Sequence, residues 1–287
     1  GHETFPLKYG WLKKAFDQIK HVNNRSETKS VFLDDDSIAR FGVGKNMVSS
    51  IRHWALTTSI IKNNIDNNIF EPTKLGELIF ENLDPYMENP STLWICHWNL
   101  ASNSERTTWF WAFNHFTGLS FDRDLIIKNL GSLSDNQGWK KTSHATIKRD
   151  VECFTRTYAS KIKSAKLSYE EALESPLTEL GLIRSTGKND GFRFVRGDKP
   201  TLKDGVFAYA LLDYWERFDE NAKSLSFDAV AYFPGSVGKV FLLDENSMMQ
   251  RLNNIEKVTD GLIEWSETAG LKQLIRKQNS KITEDLK

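Results

Sequence analysis

A chain of 287 residues with 39% hydrophobic and 12% aromatic content is long for one core and can fill two or three modules. Its 38 basic and 38 acidic residues cancel, which excludes coating of nucleic acid through overall charge but leaves room for a local basic face. Cys96 and Cys153 lie far apart outside any CxxC spacing, and no secretory leader or apolar run of about 18 residues stands out, so a cytoplasmic, non-membrane protein with reduced thiols is expected.

In chain order, Leu12, Ala15, Phe16 and Ile19 carry the spacing of an amphipathic helix over 9–22, and 23–29 reads as a polar loop. A short helix is predicted from Asp36 or Ser37, with Asp34 and Asp35 adding negative charge at its start, and it stops at Gly42. After Gly44 a longer helix is predicted over 45–61, with Met47, Ile51, Trp54 and Ala55 inward and Val48 beside them. Helix, glycine turn, helix is the motif that seats its second helix in a groove. A strand at 69–72 and the step Thr73-Lys74-Leu75-Gly76 into a helix then read as the end of a β-wing.

An aromatic block follows. Segments 90–98 and 107–116 hold Trp94, Trp98, Trp109, Phe110, Trp111, Phe113 and Phe116 and read as helices, apolar nearly all round, at the centre of the packing. A similar helix is predicted over 206–218. The helix–wing grammar returns with a helix at 125–130 and a loop at 135–141. Ser143 then caps a helix whose buried side is Ile147, Val151, Phe154 and Tyr158. Thr178-Glu179-Leu180-Gly181 echoes the earlier step, and a Gly-rich turn at 187–191 leads into a strand at 192–195. A weaker third passage has a short helix at 227–232, a helix capped by Asp244, a strand at 262–265 and Thr268-Ala269-Gly270. The recurring Thr–Gly step reads as an internal repeat.

Motifs for catalysis fail one by one. Gly42-Val43-Gly44-Lys45-Asn46 lacks the first glycine of a phosphate loop, where Ala39 stands, and has Asn46 in place of the Ser or Thr that holds magnesium. His2-Glu3-Thr4-Phe5-Pro6 lacks the second histidine of a zinc-protease helix. Cys96 sits in an apolar helix rather than an electropositive setting, and His21, His53, His115 and His144 show no ligand spacing.

The exposed faces of the helices after each turn carry more information. Lys45, Asn46, Ser49, Arg52 and His53 lie off the apolar stripe of the first, and Lys140, Lys141, His144, Lys148 and Arg149 are similarly placed on or before the second. Such residues at the start of a helix reach base edges or phosphates, whose charge the helix N-terminus also attracts. The third helix offers only Ser247, Gln250, Arg251 and Asn254. Arg193, Arg196 and Lys199 would line a wing against the DNA backbone or form a solvated hairpin.

The opening 1–14, Gly42–Val48, Thr92-Leu93-Trp94, His97-Trp98, Thr107-Thr108-Trp109, Phe207–Trp215, Pro234-Gly235-Ser236 and Glu267–Leu271 together resemble the bacterial family catalogued as domain of unknown function 4007. The resemblance spans the chain and makes Gly1 and His2 family residues rather than a tag remnant. Such proteins are encoded near DNA phosphorothioation and bacteriophage-exclusion-type defence genes, so it implies a DNA-recognising or adaptor component of antiphage defence. It brings no catalytic residues.

The resulting expectation is a mainly α protein with small β-wings (α+β). Tandem winged-helix-like units at 1–84, 119–218 and 219–287 surround a Trp-rich helical connector at 85–118. Without cofactor, metal or catalytic site, it would bind double-stranded DNA, plain or modified, beside other defence-system proteins. The alternative is a non-catalytic adaptor for those proteins, and a metal-dependent nuclease stands third.

Overall fold

The periodicity at the start of the chain builds α1 (Trp11–Asn23), which buries Trp11, Leu12, Ala15, Phe16, Ile19 and Val22. The computed structural model describes residues 1–23, 31–33, 36–64, 69–136, 142–159, 174–187, 190–268 and 270–277. Over these residues it is a mixed α and β protein, 55% helical, with small antiparallel sheets.

Helix α2 (Ser37–Phe41) ends on Gly42, whose φ of 64° is the left-handed conformation that closes a helix most cheaply with glycine. Asp36 occupies its N-cap without a side-chain capping bond, and Asp34 and Asp35 lie outside the described residues. Helix α3 (Lys45–Thr57) buries Val48, Ile51, Trp54 and Ala55, whereas Met47 is half-buried. It stops four residues short of the predicted end. Thr57 and Thr58 turn their hydroxyls back onto the carbonyls of His53 and Trp54, Ser59 takes a φ of 59°, and the β-branched Ile60 and Ile61 continue as strand. That strand, β1 (Ile61–Asn64), pairs antiparallel with β2 (Ile69–Pro72). Thr73 then caps α4 (Lys74–Glu77) through the Gly76 amide, and a Cβ on Gly76 would stand 2.3 Å from the Ile60 carbonyl, so only glycine fits there. The chain runs on through a π-helical turn, Leu78–Leu83.

Buried Asp84 starts the aromatic centre by accepting from the Glu88 and Asn89 amides and the Thr92 hydroxyl, which holds the first turn of α5 (Pro90–Ala101). Helix α6 (Thr107–Asn114) follows, then β3 (Ser120–Asp122), α7 (Arg123–Asn136) and α8 (His144–Tyr158), the last capped by Ser143. A 3-10 turn at Pro176–Leu180 leads to the hairpin β4 (Ile183–Ser185) and β5 (Gly191–Phe194). Next come α9 (Asp204–Asp219), β6 (Ser224–Ser226), α10 (Phe227–Tyr232), α11 (Val237–Val240), α12 (Glu245–Asn253), α13 (Ile255–Val258) and the hairpin β7 (Ile263–Thr268) and β8 (Leu271–Arg276).

The two three-stranded sheets share one topology, β3-β5-β4 and β6-β8-β7. In each, a helix precedes the first strand, helices fill the gap before the hairpin, and the first strand pairs with the last. Helices α1, α2 and α3 with β1 and β2 follow the same order without the first strand. The Thr–Gly step does not mark this repetition. Thr73 caps a helix after its hairpin, Thr178 lies in the 3-10 turn before its hairpin, and Gly270 sits at the tip of one. Three turns of different geometry happen to favour the same residues.

Trp54, Trp94, Trp98 and Trp215 are fully buried in the core. His97 is a satisfied core residue, its Nδ1 2.8 Å from the Tyr158 hydroxyl and its Nε2 donating to the Val240 carbonyl at 2.8 Å. Among the described residues no helix is long and apolar enough to cross a membrane.

Candidate nucleic-acid interface

Two helices that the sequence singles out, α3 and α8, are joined by the first residues of the chain. The His2 carbonyl accepts the Ser50 hydroxyl of α3 at 2.6 Å, while the His2 ring, whose Nδ1 accepts from the Thr4 amide, presents Nε2 to Asp150 of α8 at 2.9 Å. Three residues on, the Phe5 carbonyl takes both the Trp54 indole N–H of α3 at 3.0 Å and the Cys153 thiol of α8 at 3.4 Å. Arg156, one turn later on α8, donates to the Thr4 carbonyl at 3.2 Å. Ser50 and Asp150 are in the second turn of their helices, and Trp54 and Cys153 in the third. The segment therefore ties the N-terminal parts of α3 and α8 together, second turn with second and third with third.

Lys45 and Asn46 are exposed at that end of α3, with Ser49 and Arg52 half-buried one and two turns along. His144, Lys148 and Arg149 are exposed on α8. Among the described residues Lys45, Arg52 and Lys148 form no ion pair, and Arg149 only reaches back to the Ala145 carbonyl of its own helix. Lys140 and Lys141 lie outside the described residues. The N-cap of α3 is Gly44, which offers no side chain to the first amides, so the positive end of that helix stays open.

His53 behaves differently from its neighbours. Its ring packs edge-on against His2 at 5.6 Å and beside Trp54 at 5.5 Å. Burial, reinforced by the fields of His2, Arg106 and Arg52, pushes its pKa down to about 3. It is neutral near pH 7 and brings no charge to a phosphate. Arg106, in the loop before α6, shares that surrounding, and nothing in its local sequence pointed to it.

The equivalent face of the third passage is already occupied. Arg251 donates to the carbonyls of Leu202 at 2.9 Å and Lys199 at 3.0 Å and to Asp204 at 3.1 Å, and it lies 5.8 Å over the Phe207 ring. Asn254 donates to the other Asp204 oxygen at 2.8 Å. Lys199 is not a wing residue either. It is 5% exposed, and its ammonium caps the carbonyls of Val195, Gly197 and Leu242, burial drawing its pKa down to about 8. Arg193 and Arg196 remain exposed.

Cys96 and Cys153 are both buried, and burial raises their thiols, Cys96 to about 12. Among the described residues no three His, Cys, Asp or Glu side chains gather as metal ligands.

The family model described as a protein of unknown function, DUF4007, matches residues 1–286. The chain belongs to this family. Among solved structures it resembles SspB: a magnesium ion-bound SspB crystal structure is 29% identical, with a TM-score of 0.83, over 96% of this chain and 82% of that one. A second SspB crystal structure is 28% identical, with a TM-score of 0.82 over the same shares. No curated protein matches.

Proposed function

We propose that this member of the DUF4007 family is a non-catalytic component of prokaryotic antiphage defence that binds double-stranded DNA through the first two of three winged-helix units. The observation that carries the reading is the pair α3 and α8, tied turn for turn to one segment, with Lys45, Arg52 and Lys148, unpaired among the described residues, on them. A basic face formed from two helix starts supplies the local phosphate-binding charge that the neutral total does not. The winged-helix reading rests on the shared strand order of the two three-stranded sheets and on the helices that precede each hairpin. On it, α6 opens the second unit and α9 the third, so the boundaries move upstream of 119 and 219.

A gel-shift titration with salt tests the proposal. Three to four phosphate contacts give a slope of log affinity on log salt of roughly −3 to −4. A slope near zero, or no shift at low salt, overturns it. The magnesium named for an SspB structure belongs to that protein. In the same assay with magnesium or manganese the DNA stays uncut on this reading, and cleavage would replace it with a nuclease. A second reading, docking of other defence proteins, is favoured by the charge balance and by the cleft described next.

A further inference from the structure

A cleft of about 590 Å³ opens between the loop before α6, residues of α6 itself, the C-terminal half of α9 and Pro234-Gly235. Its chemistry is the reverse of that at α3 and α8. Glu105 and Asp213 bring two carboxylates against the single guanidinium of Arg217. Arg217 spends its donors within the chain. Its Nε and one terminal nitrogen bond Asp213 Oδ2 at 3.1 and 2.8 Å, and the other terminal nitrogen bonds the Ser102 carbonyl at 2.8 Å. The Trp98 indole donates to the same Oδ2 at 2.7 Å. What stays available, among the described residues, is a set of acceptors: the Glu105 carboxylate, Asp213 Oδ1 and the Asn99 carbonyl oxygen, whose amide nitrogen is committed to Thr58.

The apolar part of the cleft is aromatic. Phe110 is half-buried, and Phe218, 47% exposed, lies 5.5 Å from Tyr214 and 6.0 Å from Phe233, itself 43% exposed. A large ring held in water beside the Glu105 carboxylate, with Asp213 Oδ1 still open after Asp213 pairs with Arg217, wants a flat cation, which stacks on the ring and donates to these acceptors. The chain already shows this arrangement once: the Arg217 guanidinium lies 5.3 Å over the Trp98 ring and pairs with Asp213.

We propose that this cleft is a docking site for an arginine side chain presented by a basic segment of a partner protein, stacked on Phe110 and Phe218 and paired with Glu105 and Asp213. Charge complementarity selects this occupant. A nucleobase would find ring surface here too, but the phosphates it brings would face two carboxylates and gain no free cation. Lysine would satisfy the acids without using the flat aromatic walls. The assignment is independent of DNA binding at α3 and α8.

The test titrates the whole chain with an acetylated Gly-Arg-Gly-Arg-Gly amide, followed by ligand-observed NMR, beside citrulline and lysine counterparts. Citrulline keeps the shape of arginine without its charge. Saturable binding of the arginine peptide is expected, about tenfold tighter than citrulline and several-fold tighter than lysine. Glu105→Gln, at an exposed position, should weaken it about five- to tenfold with thermal unfolding unchanged, and Phe218→Ala should weaken it as much with only a small fall in the unfolding midpoint from its lost packing on Tyr214 and Phe233. Equal binding of the citrulline or lysine peptide, unchanged affinity in both variants, or no saturable binding overturns the proposal. So does a single-stranded oligonucleotide whose binding is lost in the same two variants, which would make the cleft a nucleobase site.

Discussion

Helices α3 and α8 on one side and α12 on the other precede a hairpin in the same order, yet their polar faces are used in opposite ways. On α12, Arg251 and Asn254 are consumed by Asp204 and by backbone carbonyls at 2.8–3.1 Å. On α3 and α8, Lys45, Arg52 and Lys148 have no ion pair among the described residues, and the intramolecular bonds fall on Ser50, Trp54, Asp150 and Cys153 instead. A repeated topology thus fixes where a polar face is presented and leaves open whether it is spent on the fold or kept for a partner. Asp204 at the start of α9, with the carbonyls of Lys199 and Leu202 just before it, settles it for the third passage.

The joint between these regions should fail first, on acidification. His97 links α5 to Tyr158 of α8 and to Val240 of α11. Burial, only partly offset by the Val240 bond, lowers its pKa to about 4. A histidine with a folded pKa below its unfolded value of about 6.5 is neutral in the fold, so as pH falls the unfolded chain takes up the proton first. Stability from this group is complete above about pH 6.5 and declines towards pH 4, by about 3 kcal/mol. His53 contributes over the same window, so the part of the difference in urea unfolding between pH 7.5 and pH 4.5 that is lost in His97→Gln measures it, and a His97→Gln chain that keeps the whole pH dependence would remove the assignment.

Next in size, Arg251→Ala should cost about 2–3 kcal/mol, because two carbonyls and Asp204 lose a charged donor and Phe207 loses its cover. DNA affinity should not change, since this face is spent within the fold. A gel shift as sensitive to Arg251 as to Lys45 would erase the contrast between the helices. His2→Ala removes no charge from the exposed turns but cuts the ring bond to α8 and the packing on His53 and Trp109. A loss of about 1–2 kcal/mol is expected, together with weaker DNA binding as the two helices lose their shared register. DNA binding unaffected by a measurable destabilisation would show that register to be irrelevant.

What was legible in the sequence follows from range. Strong local periodicity predicted α1 and the buried side of α8, and Ser143 caps the latter as its hydroxyl chemistry predicts. The glycine turn between α2 and α3 was equally local. From its residues the N-terminal segment gave a failed zinc motif and a family resemblance but no structural role, because the bonds that define it span residues as far apart as 2 and 150. His53 had the right spacing for a reading face, but His2 packs on it from the start of the chain. Lys199 looked like a wing cation until carbonyls from three separate residues enclosed it. The cleft around Glu105 and Phe218 had no sequence signature, since its walls come from helices about a hundred residues apart.

The smallest effect separates the regions most cleanly. Lys45 is exposed on the open first turn of α3 and pairs with nothing among the described residues, so Lys45→Ala should leave the unfolding midpoint in place. If it meets a phosphate, affinity falls several-fold at low salt and the salt slope loses about 1, uniformly across DNA sequences. Gln250, exposed on α12, provides the matched control. Gln250→Ala should change neither affinity nor slope. Parallel titrations of both variants at the same salt series decide the matter: equal slopes for Lys45→Ala, Gln250→Ala and the parent chain would mean that the free cations of α3 are solvated surface, and that the contrast with α12 has no bearing on DNA.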